Sequence, residues 1–340
     1  MTMMATRSSE CWGVQMRMTF LFVLGLAISG AVHAQEASPA NSPTLSDIAA
    51  RLEQGELHSR EAAFDELMVR VAAEDPGNAP VVEWSYEHGT LHRRPDASGE
   101  LRAREAARMN GFFSRHGAEG DRAKLGMIHL LIFENQLVLG YENDIRTGRM
   151  PPPLGPPSDN TSDAEAESEH YAGLIAAVSS LDDPRVIPAL IGAMPTGGMA
   201  IEGLTKYGDK ALGPLSDALK NENPLVRATA LGVSVAILAK KHDAASHVRV
   251  LDLIRASLHD PDAVVRSHAV SEIDCFADRR DFVPTLQRLA ATDPDHYRGR
   301  ADDGVDGDEY YPVRVQARRV LRDIQANKTC APLNSVLDFR

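Results

Sequence analysis

Between Leu219 and Phe276 one supersecondary unit is written almost twice, and that constrains this 340-residue chain more than any other feature of it. LKNENPLVRATALGVSVAIL begins at Leu219 and LHDPDAVVRSHAVSEIDCF at Leu258. Val226, Arg227 and Ala230 recur as Val265, Arg266 and Ala269, each 39 positions later. A period near 40 residues is that of paired-helix repeats, which bury their apolar faces only against their neighbours. The expected fold class is therefore all-α. On the second copy Val265, Ala269, Ile273 and Phe276 share one helix face, and Val313, Ala317, Leu321 and Ile324 repeat that face after Pro312. The small alanine allows a neighbouring helix to approach closely.

The same rhythm organises most of the chain. Tyr171–Leu181 with Pro184–Met194, Met199–Tyr207 with Lys210–Lys220, Pro224–Lys240 with Ser246–Leu258, and Pro261–Phe276 with Phe282–Ala291 read as helix pairs of an array over 170–327. Upstream, Leu45, Ile48, Ala49 and Leu52 keep helical spacing and Ser59 is expected to cap a second helix. Residues 44–147 thus form an N-terminal helical block of degenerate repeats, in which Arg60 and Ala63 stand as their counterparts do later. KLGMIHLLIFENQLVLGY, from Lys124, is apolar on every side, which predicts a helix sandwiched between others. Residues 148–169 are proline-rich and then acidic, and are expected to link the two blocks.

LDDPRV, LKNENPLVRATAL, LHDPDAVVRSHAV and YPVRVQARRVL are similar to the HEAT-like repeats also found in phycobilin lyases. An acidic or Asn turn, a Pro, a Val-Arg pair and a buried Ala mark each first helix there. The likeness covers about residues 172–325 well and 44–145 weakly. It implies a right-handed α-solenoid of HEAT-type helix pairs. Arg227, Arg266 and Arg314 then stack along one edge near Asp260 and Asp293, as structural residues that hydrogen-bond carboxylates or helix-end carbonyls of adjoining repeats.

Residues 19–28, TFLFVLGLAI, follow Arg17 and lead to Val32-His33-Ala34, the order of a secretory signal peptide. The run is too short to span a bilayer. Residues 1–34 are expected to be removed near Ala34, whether translation starts at Met1 or Met16, leaving 35–43 as a flexible lead-in to a secreted or periplasmic protein. Losing Arg7, Arg17 and Glu10 takes the net charge from −12 to −13. Such acidity argues against nucleic acid and anionic lipid as partners. Cys275 and Cys330 remain, an even pair that an oxidising compartment invites to bond. Residues 328–340 are expected to turn back as a capping tail.

The common local signatures of hydrolases, metalloproteases and nucleotide enzymes do not occur. His88 with His92 and His242 with His247 read as surface histidines, and neither a cofactor nor a metal site is expected. One stretch departs from the period: Arg266 to Arg314 is 48 residues, and the excess lies in an acidic insertion over 293–312. Asp302, Asp306 and Asp308 resemble part of a calcium loop, but Gly304 and Val313 stand where ligands are needed. Insertions in repeat arrays gather on one face, often the binding face. Tyr297, Arg298, Asp302, Asp303, Asp306, Asp308, Tyr310 and Tyr311 are therefore the expected contacts to a protein partner. The reading is a non-catalytic exported scaffold. Its alternatives are a structural envelope protein without a discrete site, a calcium-dependent module using the 302–309 loop, and an unrecognised enzyme.

Overall fold

The structure is a computed structural model that describes residues 43–74, 85–87, 90–92, 99–146, 149, 161–196, 198–274, 279–300 and 306–328. Among these the fold is helical. In chain order the helices are α1 (Leu45–Gln54), α2 (Leu57–Ala73), α3 (Gly99–Arg115), α4 (Gly117–Arg146), α5 (Thr161–Ser180), α6 (Ile187–Ala193) and α7 (Gly198–Tyr207). They continue as α8 (Asp209–Ala218), α9 (Pro224–Ala239), α10 (Ala244–Ser257), α11 (Ala263–Ile273), α12 (Val283–Thr292) and α13 (Pro312–Gln325). Two antiparallel hairpins interrupt them: β1 (Ser85–Glu87) pairs β2 (Thr90–His92), and β3 (Tyr297–Arg300) pairs β4 (Asp306–Tyr310). The leader, the lead-in, the tail 329–340, Cys275 and Cys330 lie outside the described residues.

The turn chemistry read from the sequence starts the helices. Asn223, Asp262 and Asp183 each accept from the backbone N–H two residues on, at 2.9, 2.9 and 3.0 Å, while Asp243 accepts from Ser246 N at 2.8 Å. Each satisfies an orphan donor of the first turn. Pro224 and Pro312 occupy first-turn positions, where a missing N–H costs nothing. Thr44 and Asp47 close a reciprocal capping box on α1. The cap expected at Ser59 does not form; α2 begins at Leu57 behind Glu56, whose side chain makes no capping bond, and Ser59 lies inside the first turn.

One continuous apolar core runs from Leu45 to Ile324. The helix α4, about 45 Å long at 1.5 Å per residue, is its spine. It packs on α1, α2 and α3 on one side and on α5 and α6 on the other. Met127, Ile128, Leu130 and Leu131 of α4 are fully buried, but His129, Gln136 and Leu137 are exposed, so one face of α4 meets solvent where the sequence predicts burial on every side. Beyond α6, the helices α9, α11 and α13 stack in sequence, with α10 packed on α9 and α11, and α12 on α13. Ala269 and Ile273 face this core and Val265 is buried beside them, Phe276 lying outside the described residues; Val313, Ala317 and Ile324 repeat the arrangement with Leu321 half-buried. The helix α5 reaches back to Thr161, nine residues into the stretch expected to be a linker. The two blocks are therefore joined through the α3–α5, α4–α5 and α4–α6 contacts.

Candidate functional site

The repeat arginines form a ladder along one edge of α9, α11 and α13. Arg227 donates from Nε and Nη2 to the Asp260 carboxylate at 2.9 and 2.7 Å, and from Nη1 to the carbonyls of Asn221 and Glu222 at 2.8 and 3.0 Å. Arg266 repeats the pattern: Nε and Nη2 grip Asp293 at 2.8 and 2.9 Å, and Nη1 reaches the carbonyls of Asp260 and Pro261 at 2.8 and 2.9 Å. These are bidentate, charge-assisted pairs that also close the carbonyls of the preceding turn. Among the described residues Arg314 grips no carboxylate this way; its Nε donates to the Asp293 carbonyl at 2.6 Å and its guanidinium lies 4.0 Å from the Tyr311 ring centroid. A comparable node ties α4 to the turn before α6, where Asp183 meets Arg185 at 2.6 Å and Lys124 at 2.7 Å.

The insertion is a hairpin standing on this edge. Arg266 Nη2 donates to Asp295 at 2.6 Å, and the His296 and Tyr311 rings face each other at 5.2 Å across the hairpin's two ends. Tyr297 pairs with Tyr310 and Arg298 with Glu309 in the register, with an irregularity between Arg298 and Arg300. Asp306 and Asp308 lie on β4, whereas Asp302 and Asp303 lie outside the described residues. Tyr310 is exposed, and so is Val315, just past the first turn of α13. On α11, His268 is exposed and Glu272 half-buried, one turn apart. Burial pushes the Glu272 carboxyl up. Gln316 of α13 donates to Ser271 Oγ, beside Glu272, at 2.6 Å.

A second group of polar side chains was not legible in the sequence. Glu61 on α2, Glu134 on α4 and His170 on α5 place one ligand-type atom each within 4.8 Å of the others. Glu134 Oε1 and His170 Nε2 are buried without a hydrogen-bond partner and stand 3.5 Å apart. Asp65, one turn along α2 from Glu61, approaches His170 Nδ1 to 3.8 Å. Burial lowers the imidazole's basicity, but the carboxylates of Glu134, Glu61 and Asp65 outweigh it and hold His170 above its ordinary pKa. Phe64 meets the His170 ring edge-on at 5.3 Å and fixes its plane. Arg60, expected as a repeat arginine, is buried beside this group; it donates to the Leu52 carbonyl at 2.7 Å and lies 4.7 Å from the Phe133 centroid.

Of the expected surface histidines, His242 is exposed in the α9–α10 turn at positive φ, and His247 is half-buried in α10. His92 lies on β2 and not on a helix, and His88 is outside the described residues. No protein-family model matches the sequence, and no curated protein is detectably similar to it.

Proposed function

We propose that the chain is a right-handed α-solenoid of HEAT-type helix pairs that works, after export, as a scaffold without catalysis and holds a protein partner. The observation that carries this reading is the insertion. The stretch that lengthens the 39-residue period to 48 carries a hairpin, with its base tied to α11 by Arg266–Asp295 and to α13 by Arg314 stacked on Tyr311. Holding a surface loop this firmly costs conformational entropy, which a contact surface needs and a spacer does not. Tyr310 then stands exposed at the hairpin base with Val315 exposed on α13, and tyrosine is enriched at interface centres. The net charge of −12 favours a partner with a basic face.

A photo-crosslinking residue at Tyr310 of the intact protein, expressed in its own host, tests this. A single dominant adduct in the exported fraction is expected. The adduct should disappear when residues 295–309 are deleted, and the same probe at Asp217, an exposed position of α8, should give none. A residue that crosslinks no better at Tyr310 than at Asp217 would sink the scaffold reading in favour of a structural envelope protein. Recovery of the chain only from the cytoplasm would remove the export half of the proposal.

A further inference from the structure

We infer that Glu61, Glu134 and His170 bind a divalent transition-metal ion that staples α2, α4 and α5 together. The first ground is an unmet demand. Glu134 is more than nine-tenths buried, and its Oε1 points at His170 Nε2 with neither atom hydrogen-bonded. A buried polar atom without a partner is costly, and an ion between two such atoms satisfies both at once. Their 3.5 Å separation is close to the ~3.3 Å between two ligand atoms of a tetrahedral zinc with bonds near 2.05 Å. Glu61, half-buried at the rim and 3.8 Å from exposed His58, brings the third donor within 4.8 Å. A rotamer change in that one side chain closes the set.

The second ground is preorganisation. Asn135 and Tyr171, the residues next to Glu134 and His170, are joined by a 2.6 Å hydrogen bond from the Tyr171 hydroxyl, and Asn135 also donates to the Ala189 carbonyl at 2.7 Å. These bonds fix the register of α4 against α5, so the two inner ligands are held face to face. Asp65 at Nδ1 supplies the outer carboxylate that orients a metal-bound histidine and sets its tautomer. One imidazole with two carboxylates suits zinc, manganese or iron(II) better than calcium, which takes oxygen ligands.

The test uses the full chain, with its thiols blocked by iodoacetamide, stripped with chelator and titrated with zinc and then manganese. One equivalent of metal should bind and raise the melting temperature by several degrees. Asp65→Asn should weaken binding about 10-fold, and Glu134→Gln and Glu61→Gln by more, while His242→Ala leaves it unchanged. Glu61 sits at the rim, so Glu61→Gln should fold normally and keeps the test decisive if Glu134→Gln does not. If the cluster is only a buried ion pair, metal will leave the melting temperature where it is. That result, or unchanged binding in Glu61→Gln, overturns the proposal.

Discussion

Replacing Arg266 with methionine should weaken the fold far more than any exposed charge deletion. Arg266 is 9% exposed and Asp293 only 2%, and the pair is bidentate at 2.8 and 2.9 Å. Without the guanidinium, the Asp293 carboxylate keeps one backbone donor, Asp295 N at 3.3 Å, and the carbonyls of Asp260 and Pro261 lose theirs. Removing one partner of a buried pair costs about 3–5 kcal/mol, because the other charge stays buried and unmatched. At about 2–4 °C per kcal/mol for a chain of this size, the melting temperature should fall by roughly 10 °C. Lys220→Met is the comparison: its 3.5 Å pair with Asp217 is 77% and 85% exposed, and such pairs contribute under about 1 kcal/mol. The double variant Arg266→Met with Asp293→Leu should recover most of the loss, since two apolar side chains leave no orphan charge. Guanidinium denaturation followed by far-ultraviolet circular dichroism measures all four proteins. A loss in Arg266→Met no larger than in Lys220→Met would refute the claim that the ladder holds the repeats together.

The α4–α6 node should contribute strongly to the acid dependence of stability. The Arg185 guanidinium, helped by Lys124, holds the Asp183 carboxyl well below the usual range against the opposing effect of burial. Its folded pKa lies under its unfolded one, so its stabilisation is complete above about pH 4 and disappears as pH falls through the folded value. Asp183→Asn should therefore lower the denaturation midpoint at neutral pH and flatten its decline between about pH 4 and pH 2, which a series of denaturant melts will show. Gly120→Ala should destabilise by about 1–3 kcal/mol, because a Cβ there would meet the Phe113 carbonyl oxygen at 2.3 Å. Gly140→Ala, at an exposed position of α4 with nothing within 4 Å, should stabilise by about 0.5–1 kcal/mol; equal melting temperatures for the two variants would contradict this reading.

The helix pairs were legible because their signals are local. An Asx residue, a proline and a Val-Arg pair recur within a few positions, and Asn223, Asp262 and Asp183 each do at the helix start what that spacing requires. The extent of α5 was misread because the acids of 163–169 were weighed as solvated charge, whereas alternating Ala and Glu are good helix formers. The β3–β4 hairpin carries no alternation of apolar residues: YRGR and DGDEY pair through backbone and register, which composition does not reveal. The Glu61, Glu134 and His170 group was invisible for a different reason. Its members are 73 and 36 residues apart, and only the packing of α2, α4 and α5 brings them together.

The repeated atom usage of Arg227 and Arg266 also bears on how such a chain can change length over generations. Each arginine closes two carbonyls just behind it and grips one carboxylate from further along, with the same nitrogens in the same roles. A tandem duplication of the 39 codons between them would recreate every donor and acceptor at the new junction. The carboxylate lies 33 residues beyond Arg227 but 27 beyond Arg266, so the span that delivers it differs in length between repeats while the grip stays the same. Gene-level events that copy the whole period therefore keep the ladder, and shorter changes keep it where they fall between an arginine's helix and the carboxylate that it grips.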